Sequence, residues 1–360
     1  MNLSTTWVTG SSGLDSTLTI GPPLTPGARN YHCAAMSISG PNTLYTFGGE
    51  GYGSTTTLVQ LSTFWAYDIR SAVWTILTDG AMVSGTKGIP ASLNRPGPLA
   101  QQECAISPYD GKFYMFAGTP DGTARFNNLW RYDFSSGMWT WVSGDSTRPS
   151  GYSVGIDVAD PTNIPSVRTD PAFTAHYSKG ILVLVGGFGL WVGGSTASYL
   201  NDVWTFDIAT GNWKWISGSI NLRNQFGVFG TKGVASTANI PGSRLEGSIQ
   251  FERVTGSLLL FAGYGFTGGS VDYLNDLWRL NMTSKAWAWI GGTNTGNSLP
   301  VSTVNGEFGV ANYPGGRGGC SFTYIANFDL YGVFGGYGSG SQSTFLTVTF
   351  FSRFITCSSL

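Results

Sequence analysis

Few residues in this chain are suited to strong chemistry, and most of those recur at fixed intervals. Two histidines, His32 and His176, lie too far apart for a local metal motif, and the glutamates number only five, Glu50, Glu103, Glu246, Glu252 and Glu307. An acid–base pair can therefore arise only through the fold, with Glu103 and Glu246 as the pair that could face one another; the expectation is that they balance nearby arginines instead. Those arginines, Arg29, Arg95, Arg168, Arg244 and Arg317, come one per repeating unit. Left uncompensated, five guanidinium groups around one channel mouth would form an anion site. Paired with acids such as Asp202 and Asp276 they would be structural, which is the expectation for a residue that serves every repeat. Trp191 is different. Of 13 tryptophans, 12 occupy repeat positions expected in the core, whereas Trp191 sits in the glycine-flanked run Phe188-Gly189-Leu190-Trp191-Val192-Gly193-Gly194. A solvent-facing Trp there would suit stacking on a sugar or anchoring a partner, with Phe188 and Phe266 beside it.

The elements that must position these residues follow from the repeat. Phe47-Gly48-Gly49, Phe116-Ala117-Gly118, Val185-Gly186-Gly187, Phe261-Ala262-Gly263 and Phe334-Gly335-Gly336 end five apolar runs, spaced 69, 69, 76 and 73 residues apart. Each unit holds four strand-like runs: one after the arginine, one into Gly-Gly, one of the type Asn201-Asp202-Val203-Trp204-Thr205-Phe206-Asp207, and one with Trp-x-Trp such as Trp213 and Trp215. Period-two alternation, aromatic and β-branched enrichment and Gly, Pro, Asn or Asp between runs predict strands, not helices. Four-stranded units that cannot bury their own faces predict a β-propeller.

The pattern Arg…Leu-Tyr-x-Phe-Gly-Gly…Asn-Asp-Leu-Trp-x-Tyr-Asp…Trp is similar to the kelch repeat of the galactose oxidase-like superfamily and covers nearly the whole chain. The resemblance implies one all-β, kelch-type propeller of about five four-stranded blades over residues 1-360. The blades fall at about 28-76, 94-141, 167-215, 243-289 and 316-350, the last closed by an N-terminal strand at 5-9 around Trp7. Each unit is longer than the ~50-residue kelch period, so the surplus must lie in loops. The copper constellation of the oxidase and the iron motif of kelch-like specifier proteins are both absent from this sequence, so no metal, cofactor or catalytic residue is assigned.

Composition narrows the partners. Only 11% of residues are charged and the net charge is −1, which gives no attraction to nucleic acid or anionic membrane. No apolar run approaches the ~20 residues of a membrane span, and no signal peptide precedes the first strand-like run. The sequons Asn2-Leu3-Ser4 and Asn281-Met282-Thr283 and the low charge lean towards an extracellular, secreted module. Cys33, Cys104 and Cys320 fall in first strands, where buried free thiols are expected, and Cys357 lies in the tail. The repeated Gly85-Thr86-Lys87-Gly88 and Gly230-Thr231-Lys232-Gly233 are expected to be structural turns. Gly263 to Gly268 fits G-x-G-x-x-G but precedes a strand, not a helix, so no nucleotide site follows.

Strand alternation sends the second-to-third and blade-to-blade connections to one end. These are the long ones, at residues 142–167, 216–243, 290–316 and 188–200, and loops on a rigid scaffold usually carry binding residues. The reading is a monomeric binding or interaction module, not an enzyme, that recognises a glycan or glycoprotein on that face. The alternatives are a protein–protein scaffold without sugar binding and a sugar-modifying or oxidase-like enzyme with a channel-mouth site.

Overall fold

The computed structural model describes residues 25–37, 42–52, 57–145, 149–301, 313–325, 330–339 and 349–351, and among them there is no helix. Alternating runs become antiparallel strands in simple up-and-down order. In the second blade Glu103–Ile106 is innermost, followed by Phe113–Phe116, Leu129–Asp133 and Met138–Ser143. The first, third and fourth blades repeat this order, and the fifth shows three strands, Arg317–Ile325, Leu330–Gly338 and Thr349–Phe351. The run around Trp7, Cys357, Glu307, the sequon at Asn2 and residues 344–348 lie outside the described residues.

The core lies between blades. Val183, Val203 and Ile216 of the third blade pack on Leu258, Leu260 and Trp278 of the fourth. Equivalent clusters join the first to the second, the second to the third and the fourth to the fifth. The first Trp of each Trp-x-Trp is fully buried and its indole N–H donates to the preceding blade: Trp139 to Thr78 Oγ1 at 3.0 Å, Trp213 to Ser143 Oγ at 3.1 Å, and Trp287 to Ser217 Oγ at 2.9 Å. The second Trp differs from the expected core role. Trp141, Trp215 and Trp289 are half-buried on the outermost strand, and Lys87 and Lys232 lie over the rings of Trp141 and Trp289 at 4.9 and 4.7 Å.

Those lysines belong to the long inter-blade loops, which do something other than crown the face. Gly88 N–H donates to Trp141 O and Gly233 N–H to Trp289 O, both at 2.8 Å, while Ala159–Asp160 pairs with Lys214 and Trp213 as an added outer strand. Asn94, Asn163 and Asn239 complete the seam, each donating Nδ2–H to a fourth-strand Trp carbonyl at 2.9–3.1 Å. Much of the surplus length therefore covers the exposed edge of the blade it leads into, which removes unpaired strand groups from solvent. The opposite end has tight turns. Asp68, Asp133, Asp207 and Asn281 each accept backbone N–H groups two or three residues on.

A left-handed kink interrupts the second strand, at Gly186 in the third blade and at Ala117 and Ala262 in the second and fourth. Gly186 has φ 59°, and a Cβ there would sit 2.7 Å from Arg244 O of the next blade. Past this kink the strand resumes with a bulge and runs on to the long-loop end. That extension carries the residues of the candidate site.

Candidate functional site

Two of the recurring arginines, Arg168 and Arg244, are fully used inside their own blades. Arg168, 0% exposed, donates Nε to Ser166 O, Nη1 to Gly186 O and Asp202 Oδ1, and Nη2 to Ser166 Oγ and Asp202 Oδ2, the two carboxylate bonds both 2.7 Å. Asp202 also accepts the Trp204 indole N–H at 2.7 Å. Arg244, Asp276 and Trp278 repeat this arrangement at 2.7–2.8 Å. Arg29 donates to Thr63 Oγ1 and Gly48 O, and Arg317 donates to Gly315 O and Gly335 O. The pairs lock first strand to third strand within one blade, not blade to blade.

Arg95 is not a member of this series. It bridges Val83 in the edge loop and donates to Asp79, Ser92 and Asn94 carbonyls. Leu99, in Pro96-Gly97-Pro98-Leu99, holds the arginine's place, and Asn128 stands where the partner aspartate would be. The carboxylate partners of Arg168 and Arg244 are Asp202 and Asp276, not Glu103 and Glu246.

Glu103 and Glu246 belong to a different group. Two residues after the arginine position the chain turns left-handed in every blade, at Tyr31 (φ 50°), Gln101 (59°), Asp170 (51°), Glu246 (55°) and Gly319 (63°). Backbone bonds tie successive turns together: Gln101 N–H to Tyr31 O, Asp170 to Gln101, Glu246 to Asp170 and Gly319 to Glu246, at 2.9–3.1 Å. This puts Asp170 and Glu246 side by side at the channel mouth, with Glu103 two residues further along the second blade's inner strand.

The three carboxyl groups hold their protons unusually tightly. Burial, and then the charges of Asp170 and Glu246, push Glu103 up to about 8. Burial and then Glu246 push Asp170 up to about 7, against an opposing pull from the Thr169 hydroxyl and Arg125. Glu246 is raised by burial and accepts a bond from the Tyr337 hydroxyl. The protons belong to the group as a whole. No set of His, Cys, Asp and Glu among the described residues is placed to hold a metal. His32, one residue beyond the left-handed turn of the first blade, is exposed to solvent. His176, at the other end of the third blade's inner strand, accepts Ser178 and Lys179 N–H groups at 3.1 Å and is structural.

A proton-linked stability change follows. All three acids are raised, so the folded state retains protons that the unfolded chain, with carboxyl groups near 4, releases. Stability therefore falls as pH rises from about 4 and levels off above about 8. Melting at pH 5 and pH 9 should show this fall, and Glu103→Gln should remove on the order of 2 kcal/mol of it. An unchanged pH profile in that variant would contradict the arrangement.

Aromatic side chains flank the acids on the strand extensions. Phe188 faces Tyr199 at 5.4 Å and Tyr264 faces Tyr273 at 4.9 Å, each pair in cross-strand register. Tyr199 touches Tyr264 at 6.0 Å and Phe266 at 5.7 Å, and Tyr273 touches Tyr337 at 5.7 Å. The result is one continuous arc over the third to fifth blades, ending at the tyrosine bonded to Glu246. Phe188 and Phe266 are thus brought together through Tyr199. Trp191 stands apart from them: it is half-buried in its loop, with the Arg223 guanidinium over its ring at 4.4 Å.

The cysteines also depart from expectation. Cys33 and Cys104 form a disulfide with Cα atoms 5.6 Å apart, and Cys320 alone is a buried free thiol among the described residues. Adjacent inner strands approach to backbone hydrogen-bonding distance beside the channel mouth, which brings neighbouring blades within reach of a bridge.

Repeated blades with buried inter-blade cores define a β-propeller of the kind that serves as a binding or interaction module. The chain belongs to the kelch-repeat family: the KLHDC2/KLHL20/DRC7 Kelch-repeats domain matches residues 15–225. Among solved structures it is similar to one described as "Structure of YjhT", with a TM-score of 0.54 and 14% identity over 92% of this chain and 86% of that one. At that identity the likeness is one of fold. No helix among the described residues is long and apolar enough to cross a membrane.

Proposed function

We propose that this propeller binds a glycan or glycoprotein over its channel mouth, at the end to which the strand extensions run. The observation that carries the reading is the aromatic arc from Phe188 to Tyr337 meeting Asp170 and Glu246. Aromatic faces suit the apolar faces of sugar rings, and a few fixed polar groups at the edge of an aromatic surface set orientation by accepting or donating hydrogen bonds to hydroxyls.

The test is binding of the purified chain to a broad glycan array. Selective binding is the expected result. Silence from a sample that melts cooperatively would overturn the glycan reading and leave a protein-interaction scaffold.

One observation favours a second, catalytic reading. Glu103, Asp170 and Glu246 cluster beside one another, and burial and mutual repulsion raise Glu103 and Asp170 towards neutrality, where a carboxyl group can both donate and accept a proton. A sugar-modifying activity that disappears in Glu103→Gln while ligand binding survives would establish it.

A further inference from the structure

We infer that Asn281 is an N-glycan acceptor, carried on the end of the propeller opposite the proposed binding face. Four blades share one turn between third and fourth strands, and three of them open it with aspartate: Asp68, Asp133 and Asp207. The fourth blade has Asn281, which makes the same turn, its Oδ1 accepting Thr283 N–H at 2.9 Å and Ser284 N–H at 3.0 Å. The carbonyl half of the amide is thus engaged. Asn281 and Thr283 are both exposed at the turn. The substitution of amide for carboxylate changes nothing in the turn but supplies the nitrogen that glycosylation needs, and Thr283 completes Asn-x-Thr.

The disulfide supplies an independent reason to place the chain on a secretory route. Cys33–Cys104 joins the inner strands of two blades, and such structural bridges form and persist in oxidising compartments. Oligosaccharide transfer takes place along the same route. In the reaction Asn281 Nδ2 attacks the anomeric carbon of a lipid-pyrophosphate-linked oligosaccharide. A C–N bond forms, the anomeric C–O bond breaks with its electron pair leaving on the lipid pyrophosphate, and Nδ2 gives up one proton. A glycan at this turn leaves the arc and the channel mouth open, because third-to-fourth strand turns emerge at the other end from the strand extensions.

The experiment directs the full chain through a eukaryotic secretory pathway and maps its peptides by mass, with and without an amidase that releases N-glycans and converts the acceptor Asn to Asp. The peptide containing Asn281 is expected to carry a glycan mass that the amidase removes, in a sample whose Cys33–Cys104 crosslink is intact. Asn281→Asp should abolish that mass while leaving the melting temperature unchanged, since the other blades build this turn with aspartate; Thr283→Ala should abolish it as well. An unmodified Asn281 peptide from crosslinked, secreted chain would overturn the inference. Peptide-level mapping keeps the result separate from modification at Asn2.

Discussion

Replacing Arg168 with leucine should destabilise the propeller by roughly 3–5 kcal/mol, the range for removing one partner of a buried ion pair. Asp202 is 3% exposed and would keep only the Trp204 indole N–H and no countercharge. Apparent melting should fall by on the order of 10 °C, since each kcal/mol moves a large domain by about 2–4 °C. The second blade indicates how to recover the loss, because it folds with Leu99 and Asn128 at the two positions. The double variant Arg168→Leu with Asp202→Asn should therefore be considerably more stable than Arg168→Leu alone. Thermal melts of the single and double variants check this. Equal destabilisation in both would mean that the buried charge left behind is not what destabilises the single variant.

Loss of the Cys33–Cys104 bridge should cost a similar amount. The two residues are 71 positions apart, and closing a loop of that size in the unfolded chain corresponds to about 4 kcal/mol on the chain-entropy account. Cys33→Ala should melt well below the oxidised protein and lose all sensitivity to reductant, while the native chain should drop towards the variant when dithiothreitol is added. A native melting curve indifferent to reductant would contradict a bridge between the first two blades. Cys320, buried against Ser248, should resist alkylation in both until unfolding.

The scaffold was readable because each blade repeats residues with one structural task. Asn201, Asp202 and Trp204 are spaced so that the first bonds the next blade's Pro241 carbonyl, the second takes Arg168 and the third fills the inter-blade core. Arg95 misled because an arginine happens to lie four residues before the true position; Pro96-Gly97 marks Leu99 as the structural equivalent. The disulfide was hidden because it depends on how closely inner strands approach, which spacing along the chain does not encode.

The candidate site was legible in part. Phe188 and Phe266 lie in the arc, but Tyr199, Tyr264, Tyr273, Tyr337 and Asp170 were passed over. Their signal was positional: Phe188, Tyr264 and Tyr337 each stand three residues beyond the residue before Gly-Gly or Ala-Gly, and Asp170 stands two beyond Arg168. What set these positions apart was the kink at Gly186-Gly187 and the left-handed turn at Asp170, which aim the following residues at the channel mouth. The long loops drew notice for their length, yet much of that length seals blade edges.

The most direct test of where this protein binds is a comparison on the same glycan array of the native chain, Tyr273→Ala and Trp191→Ala. Tyr273 is the middle contact between Tyr264 and Tyr337. A site at the channel mouth predicts that Tyr273→Ala loses binding while it stays folded, and that Trp191→Ala retains most of it. Binding that survives in Tyr273→Ala and disappears in Trp191→Ala would contradict the channel-mouth assignment and place the site on the 188–200 loop.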